Sequence, residues 1–96
     1  SVASERAYPS CGAYTVAKHG LLGLARAVRE STQDSGLRVT AILPGATDTP
    51  SWQSSGIDSQ RLMPARDIAQ SLLSIYRLSQ RSVVEEIVLR PVRGDI

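Results

Sequence analysis

The run Leu37-Arg38-Val39-Thr40-Ala41-Ile42-Leu43-Pro44-Gly45 decides the architecture. It is mostly apolar, and Pro44-Gly45 stops it abruptly. A short apolar run bounded in this way predicts a largely buried strand over 37–43, of the kind that parallel sheets cover on both faces. Toward the C-terminus, no periodicity survives from Ala46 to Leu62, where Trp52 and Ile57 stand as isolated apolar points. An irregular connection this long is usually a functional lid or partly disordered. Pro64-Ala65-Arg66-Asp67 then opens a helix running to about Leu78, with Pro64 suited to the first turn and Asp67 to the positive end of the dipole. Its apolar face is Ile68, Ala69, Leu72, Leu73, Ile75 and Tyr76. After a connection over Ser79–Val84, Glu86–Leu89 reads as a short strand, closed by Pro91 and the tail Gly94-Asp95-Ile96.

Toward the N-terminus, Ser1–Ser10 is small, polar and broken by Pro9, so it reads as a loop. Ser10 is a plausible N-cap for a helix to about Thr32. Tyr14, Ala17, Leu21, Leu24, Ala25 and Val28 recur at helical spacing and predict its apolar face. Gly12, Gly20 and Gly23 each cost that helix about 1 kcal/mol relative to Ala, which makes sense if another backbone packs closely on it. Asp34-Ser35-Gly36 ends it. The expected class is therefore α/β: a long helix followed by a βαβ unit, part of a doubly wound parallel sheet. Ligands of such sheets sit beyond the carboxyl ends of the strands, where Pro44-Gly45 and the irregular segment fall.

Composition narrows the classes. The 96 residues suit one small domain with a modest core, and 42% hydrophobic with 21% charged is ordinary for a globular protein. A net charge of +2 with interspersed signs is no footprint for nucleic acid. The single cysteine, Cys11, excludes an internal disulfide and reads as a small buried residue, and no Cys/His cluster suggests a metal. No apolar run approaches a membrane span and no signal peptide is recognisable, so a cytoplasmic location is expected.

Ten of the eleven basic residues are arginines, and the one lysine, Lys18, lies four residues after Tyr14. That spacing stacks phenol and ammonium on one helix face. A compact ammonium enters a crowded site more easily than a guanidinium, and a cation beside a phenol favours the phenolate, which suits proton transfer. An ordinary amphipathic helix with a snorkelling lysine shows the same pair. His19 reads as a helix-surface residue, and Trp52 as an anchor for its loop.

Several features together resemble the short-chain dehydrogenase/reductase family. Tyr14-x-x-x-Lys18 lies within Gly12-Ala13-Tyr14-Thr15-Val16-Ala17-Lys18-His19-Gly20-Leu21-Leu22-Gly23-Leu24, and Ser1 stands 13 residues ahead of Tyr14, where the family carries its catalytic serine. Arg38–Thr49 resembles the strand and Pro-Gly-x-x-x-Thr turn that hold the nicotinamide end of the cofactor. Met63-Pro64-Ala65-Arg66-Asp67-Ile68-Ala69 is similar to the start of the family's last large helix, and Glu85–Pro91 to its final strand. Leu43 stands where many members have Asn.

The resemblance implies hydride transfer between NADP or NAD and a small-molecule alcohol or carbonyl, with the tail Ile87–Pro91 leaning toward NADP-using members. Tyr14 would be the general acid/base, Lys18 would support it and bind the nicotinamide ribose, and Ser1 would hold the substrate oxygen. Pro44, Gly45, Thr47 and Thr49 would complete the cofactor contacts. Read without the resemblance, Ser1 is a floppy terminal residue, Thr49 a helix cap and Pro44-Gly45 a simple turn. The family's Thr-Gly-x-x-x-Gly-x-Gly turn is not found in these residues. The 96 residues are therefore expected to be the C-terminal segment of one Rossmann-type domain, its cofactor-binding half preceding Ser1. By itself the chain is expected to bind no cofactor and to be inactive, and to form a homo-oligomer through its apolar edge. The rival reading is a non-catalytic interaction module built on the same helices.

Overall fold

A computed structural model describes residues 1–96. Its order is a short 3-10 turn (Val2–Ser4), helix α1 (Gly12–Ser31), strand β1 (Ala41–Pro44), helix α2 (Ala65–Tyr76) and strand β2 (Glu86–Leu89), with further 3-10 turns at Gln33–Ser35, Pro50–Trp52 and Ser59–Arg61. The strands pair in parallel with Ala41 opposite Glu86 and Pro44 opposite Leu89, and α2 is the crossover between them. The amides of Ala41 and Gly45 donate to the carbonyls of Glu85 and Leu89. This is the expected βαβ unit, preceded by the expected long helix.

β1 is shorter than the predicted 37–43. β2 offers only four residues to pair with, and the chain ahead of Ala41 is drawn elsewhere. The Arg38 guanidinium donates to the carbonyls of Tyr76 and Leu78, both at 3.2 Å, and Ser79 at 3.4 Å. Of these, the Tyr76 carbonyl is one that the end of α2 leaves without an intrahelical partner, and a cation there also complements the dipole. α2 itself starts one residue later than predicted, because Pro64 (φ −61°, ψ 135°) is extended and serves as the N-cap.

The N-cap of α1 is Cys11, not Ser10. Ser10 has φ +62°, a left-handed conformation that a residue with a Cβ adopts at a cost, and its side chain makes no capping bond. Cys11 is exposed, contrary to expectation. The inward face of α1 also differs from the predicted one. Leu22 and Arg29 are its buried residues, with Thr15, Lys18 and Ala25 half-buried on the same stripe. Of the predicted face only Ala25 lies on that stripe; the others point outward, with Leu21 and Leu24 58% and 60% exposed. α2 likewise turns Ile68, Ser71 and Ile75 toward the chain and leaves Leu72, Leu73 and Tyr76 exposed.

The core is thin: Ala3, Leu22, Leu43, Leu62, Met63 and Pro91 are its buried apolar residues. The shape is correspondingly open, with a radius of gyration of 15.0 Å against about 12.5 Å for a compact domain of this length. Ion pairs tie α1 to the start of β2. Arg26 donates to both Glu86 carboxylate oxygens at 2.8 and 2.9 Å and holds that carboxyl below the usual range. Buried Arg29 donates to the Glu85 carbonyl at 3.0 Å and lies 3.6 Å from the Glu86 carboxylate. Arg29→Met keeps the stem and removes the guanidinium, and with it the charged donor to that carbonyl and the ion pairs to Glu85 and Glu86. We expect it to lower stability by about 1–3 kcal/mol, read as a lower urea midpoint with an unchanged slope.

Candidate active site

Ser1, Tyr14 and Lys18 come together. The Ser1 hydroxyl caps the first 3-10 turn by accepting from the Ala3 amide at 3.1 Å, and it also accepts a hydrogen bond from the Tyr14 hydroxyl at 3.3 Å. Ser1 is therefore held rather than floppy. Lys18, one turn further along α1, has its Nζ 5.3 Å from the centroid of the Tyr14 ring, within cation–π range. Tyr14 is half exposed and Lys18 half-buried, so a ligand could reach the pair from solvent.

The 3-10 turn that Ser1 caps touches both α1 and β1, and its Ala3 and Ser4 are buried between them. It is the wedge that sets the helix carrying Tyr14 beside the strand ending in Pro44. Beyond that strand, Gly45 lies so close to β2 that a Cβ there would stand 3.2 Å from Pro91 Cδ. Packing against Arg90-Pro91 therefore accounts for this glycine. Thr47 Oγ1 donates back to the Gly45 carbonyl at 3.0 Å.

The segment after Pro44 is a closed loop of the Ω type. Thr47 bridges Met63, the Asp48 amide donates to the Met63 carbonyl at 2.8 Å, and the Met63 amide donates to the Ala46 carbonyl at 3.0 Å. Buried Leu62 and Met63 anchor its base, and Trp52 is half-buried within it. Thr49 precedes the turn Pro50–Trp52 but its side chain makes no cap. Neither the Thr47 amide nor the Thr49 hydroxyl has a hydrogen-bond partner in the chain. The Lys18 ammonium, the Tyr14 hydroxyl, the Thr47 amide and the Thr49 hydroxyl are all donors, the chemistry that hydroxyl and amide oxygens of a ligand accept. No group of three His, Cys, Asp or Glu side chains is placed to hold a metal, and no helix is long and apolar enough to cross a membrane.

One cluster escaped the sequence reading. Arg6, Tyr8 and Arg90 converge on Asp95, linking the loop before Tyr14 to the tail after β2. Only the abundance of arginine hinted that a carboxylate near the end of the chain would be paired.

A parallel βαβ unit behind a long helix defines part of a Rossmann-type domain. The family profile described as enoyl-(acyl carrier protein) reductase matches residues 1–87. Sepiapterin reductase from Chlorobaculum tepidum is 38% identical over all of this chain and 40% of its own length. A 3beta-hydroxysteroid dehydrogenase from Mediterraneibacter gnavus is 40% identical over 66% of this chain and 23% of its own length. The crystal structure of a betaketoacyl-ACP reductase (FabG) from Bacteroides thetaiotaomicron superposes with a TM-score of 0.75 at 25% identity, covering 86% of this chain and 37% of that one. The chain belongs to the short-chain dehydrogenase/reductase family, and it spans about two fifths of the length of the sepiapterin reductase it matches.

Proposed function

We propose that this chain is the proton-transfer segment of an NAD(P)-dependent oxidoreductase that interconverts small-molecule alcohols and carbonyls. The observation carrying the proposal is the Tyr14–Ser1 hydrogen bond at 3.3 Å with Lys18 Nζ 5.3 Å from the phenol ring. In reduction, Tyr14 gives its proton to the carbonyl oxygen while the Ser1 hydroxyl holds that oxygen in place. The Lys18 ammonium offsets the charge left on the phenol oxygen and hydrogen-bonds the ribose. Solvent returns the proton to the half-exposed phenol. The Thr47 amide and Thr49 hydroxyl would take the carboxamide, and Pro44-Gly45 sets the turn that presents them. The nicotinamide, when bound, supplies or accepts the hydride.

On this reading the phosphate-binding half of the domain precedes Ser1, NADP is the favoured cofactor, and the 96 residues alone are inactive. The outward leucines of α1, Leu21 and Leu24, support assembly with further copies of the chain. The test is a reductase assay of the full-length protein carrying this segment, with NADPH or NADH and a panel of ketones and aldehydes, and sedimentation of the same preparation. Cofactor oxidation that depends on the carbonyl compound is expected, from an oligomer. A monomeric protein that oxidises neither cofactor across the panel would leave the proposal without support.

A further inference from the structure

Between the turn capped by Ser1 and the start of α1, the chain has little backbone structure of its own. Across residues 5–11 the backbone donates only from Glu5 to the Val2 carbonyl and from Cys11 to the Tyr8 carbonyl. This segment nevertheless joins Ser1 to Tyr14, and it contains the left-handed Ser10 (φ +62°). A non-glycine residue keeps such a conformation only where its surroundings determine it. The contacts that hold the segment are made by its side chains. Arg6 Nη1 lies 3.3 Å and the Tyr8 hydroxyl 3.2 Å from Asp95 Oδ2. Arg90 grips the same carboxylate through Nε at 2.9 Å and Nη2 at 2.8 Å. Asp95 reaches them because Gly94, at φ +84° with its amide bonded to the Pro91 carbonyl, turns the chain back after β2.

We propose that Asp95 is a positioning residue for the active site: it clamps the Arg6–Tyr8 segment to Arg90 at the end of β2 and so fixes the Ser1 hydroxyl relative to Tyr14. The inference rests on the reading of Ser1 and Tyr14 given above. Asp95 touches neither of them and acts through the loop that joins them. The surroundings of the cluster agree with this geometry. Hydrogen bonding to Arg90 holds the Asp95 carboxyl below its ordinary range, and burial together with the Asp95 carboxylate raises the Tyr8 phenol above its own.

The test compares Asp95→Asn, Asp95→Glu and Tyr8→Phe with the wild type in the full-length protein, by steady-state kinetics and amide hydrogen exchange. Because a misplaced reacting group costs rate more than binding, Asp95→Asn is expected to lower kcat by about tenfold with KM little changed. Asp95→Glu should recover part of that loss, and Tyr8→Phe, which removes one donor, should show a smaller loss. Exchange of the Cys11 amide, the one hydrogen-bonded amide in residues 6–11, should speed up in Asp95→Asn while Ala41 and Gly45, bonded within the sheet, stay protected. Faster loop exchange with wild-type kcat would overturn the positioning role, as would an unchanged loop. A wild type that turns over no carbonyl would instead defeat the proposed function, and exchange would still report whether Asp95 clamps the loop.

Discussion

Tyr14→Phe in the full-length protein is expected to lower kcat for carbonyl reduction by about 10²- to 10⁴-fold, the span of a lost general acid. The substitution is clean. Phenylalanine keeps the ring over which Lys18 Nζ sits at 5.3 Å, and it keeps the helix, since phenylalanine and tyrosine have nearly equal helix propensity. What goes is one hydroxyl, whose only partner in the chain is Ser1 Oγ at 3.3 Å. That bond is exposed, so its loss should barely move the melting temperature. The proton must then come from water that nothing on α1 orients. KM should change little, because the hydroxyl is asked to act mainly as charge develops on the substrate oxygen. Steady-state kinetics beside a thermal melt separates these effects, and a variant with wild-type kcat would remove Tyr14 from the mechanism.

Leu43→Ala should have the largest effect on stability, a loss of about 2–5 kcal/mol. Leu43 is 1% exposed, lies in the middle of β1 opposite Val88, and is the one large side chain fully enclosed. The remaining buried apolar residues are few, so little can close over the space it leaves. Each kcal/mol lost lowers the melting temperature of a domain this size by about 4–8 °C. Leu72→Ala, at a leucine 53% exposed on α2, is the matched control and should stay within about 0.5 kcal/mol of wild type. Denaturant titration of both variants decides the matter, and equal midpoints would place the core elsewhere.

How much of this was legible depended on the range of the interactions. β2 is readable at its observed bounds because the apolar run Ile87-Val88-Leu89 is short and followed closely by Pro91. The Tyr14–Lys18 contact followed from helical spacing alone. The inward face of α1 did not. One residue of offset rotates a helix position by about 100°, and α1 carries small or apolar residues on two adjoining stripes, so hydropathy could not choose between them. A buried arginine, Arg29, runs against hydropathy altogether, and its partners Glu85 and Glu86 lie more than fifty residues away. The Asp95 cluster joins positions 87 and 89 residues apart, which no local pattern encodes. The Ser1 contact was legible only through the family's spacing, since nothing in Ser1–Ser10 taken alone predicts a held hydroxyl.

The proline that ends β1 has a further effect. Ala41 and Gly45 turn their amides toward β2, so the alternate positions, Ile42 and Pro44, face the free side of the strand. Proline has no amide hydrogen to offer, which leaves Ile42 as the only donor that β1 presents there. A foreign strand arriving on that side finds a template that runs out almost at once. The residue that stops the strand also makes its apolar edge a poor seed for aggregation.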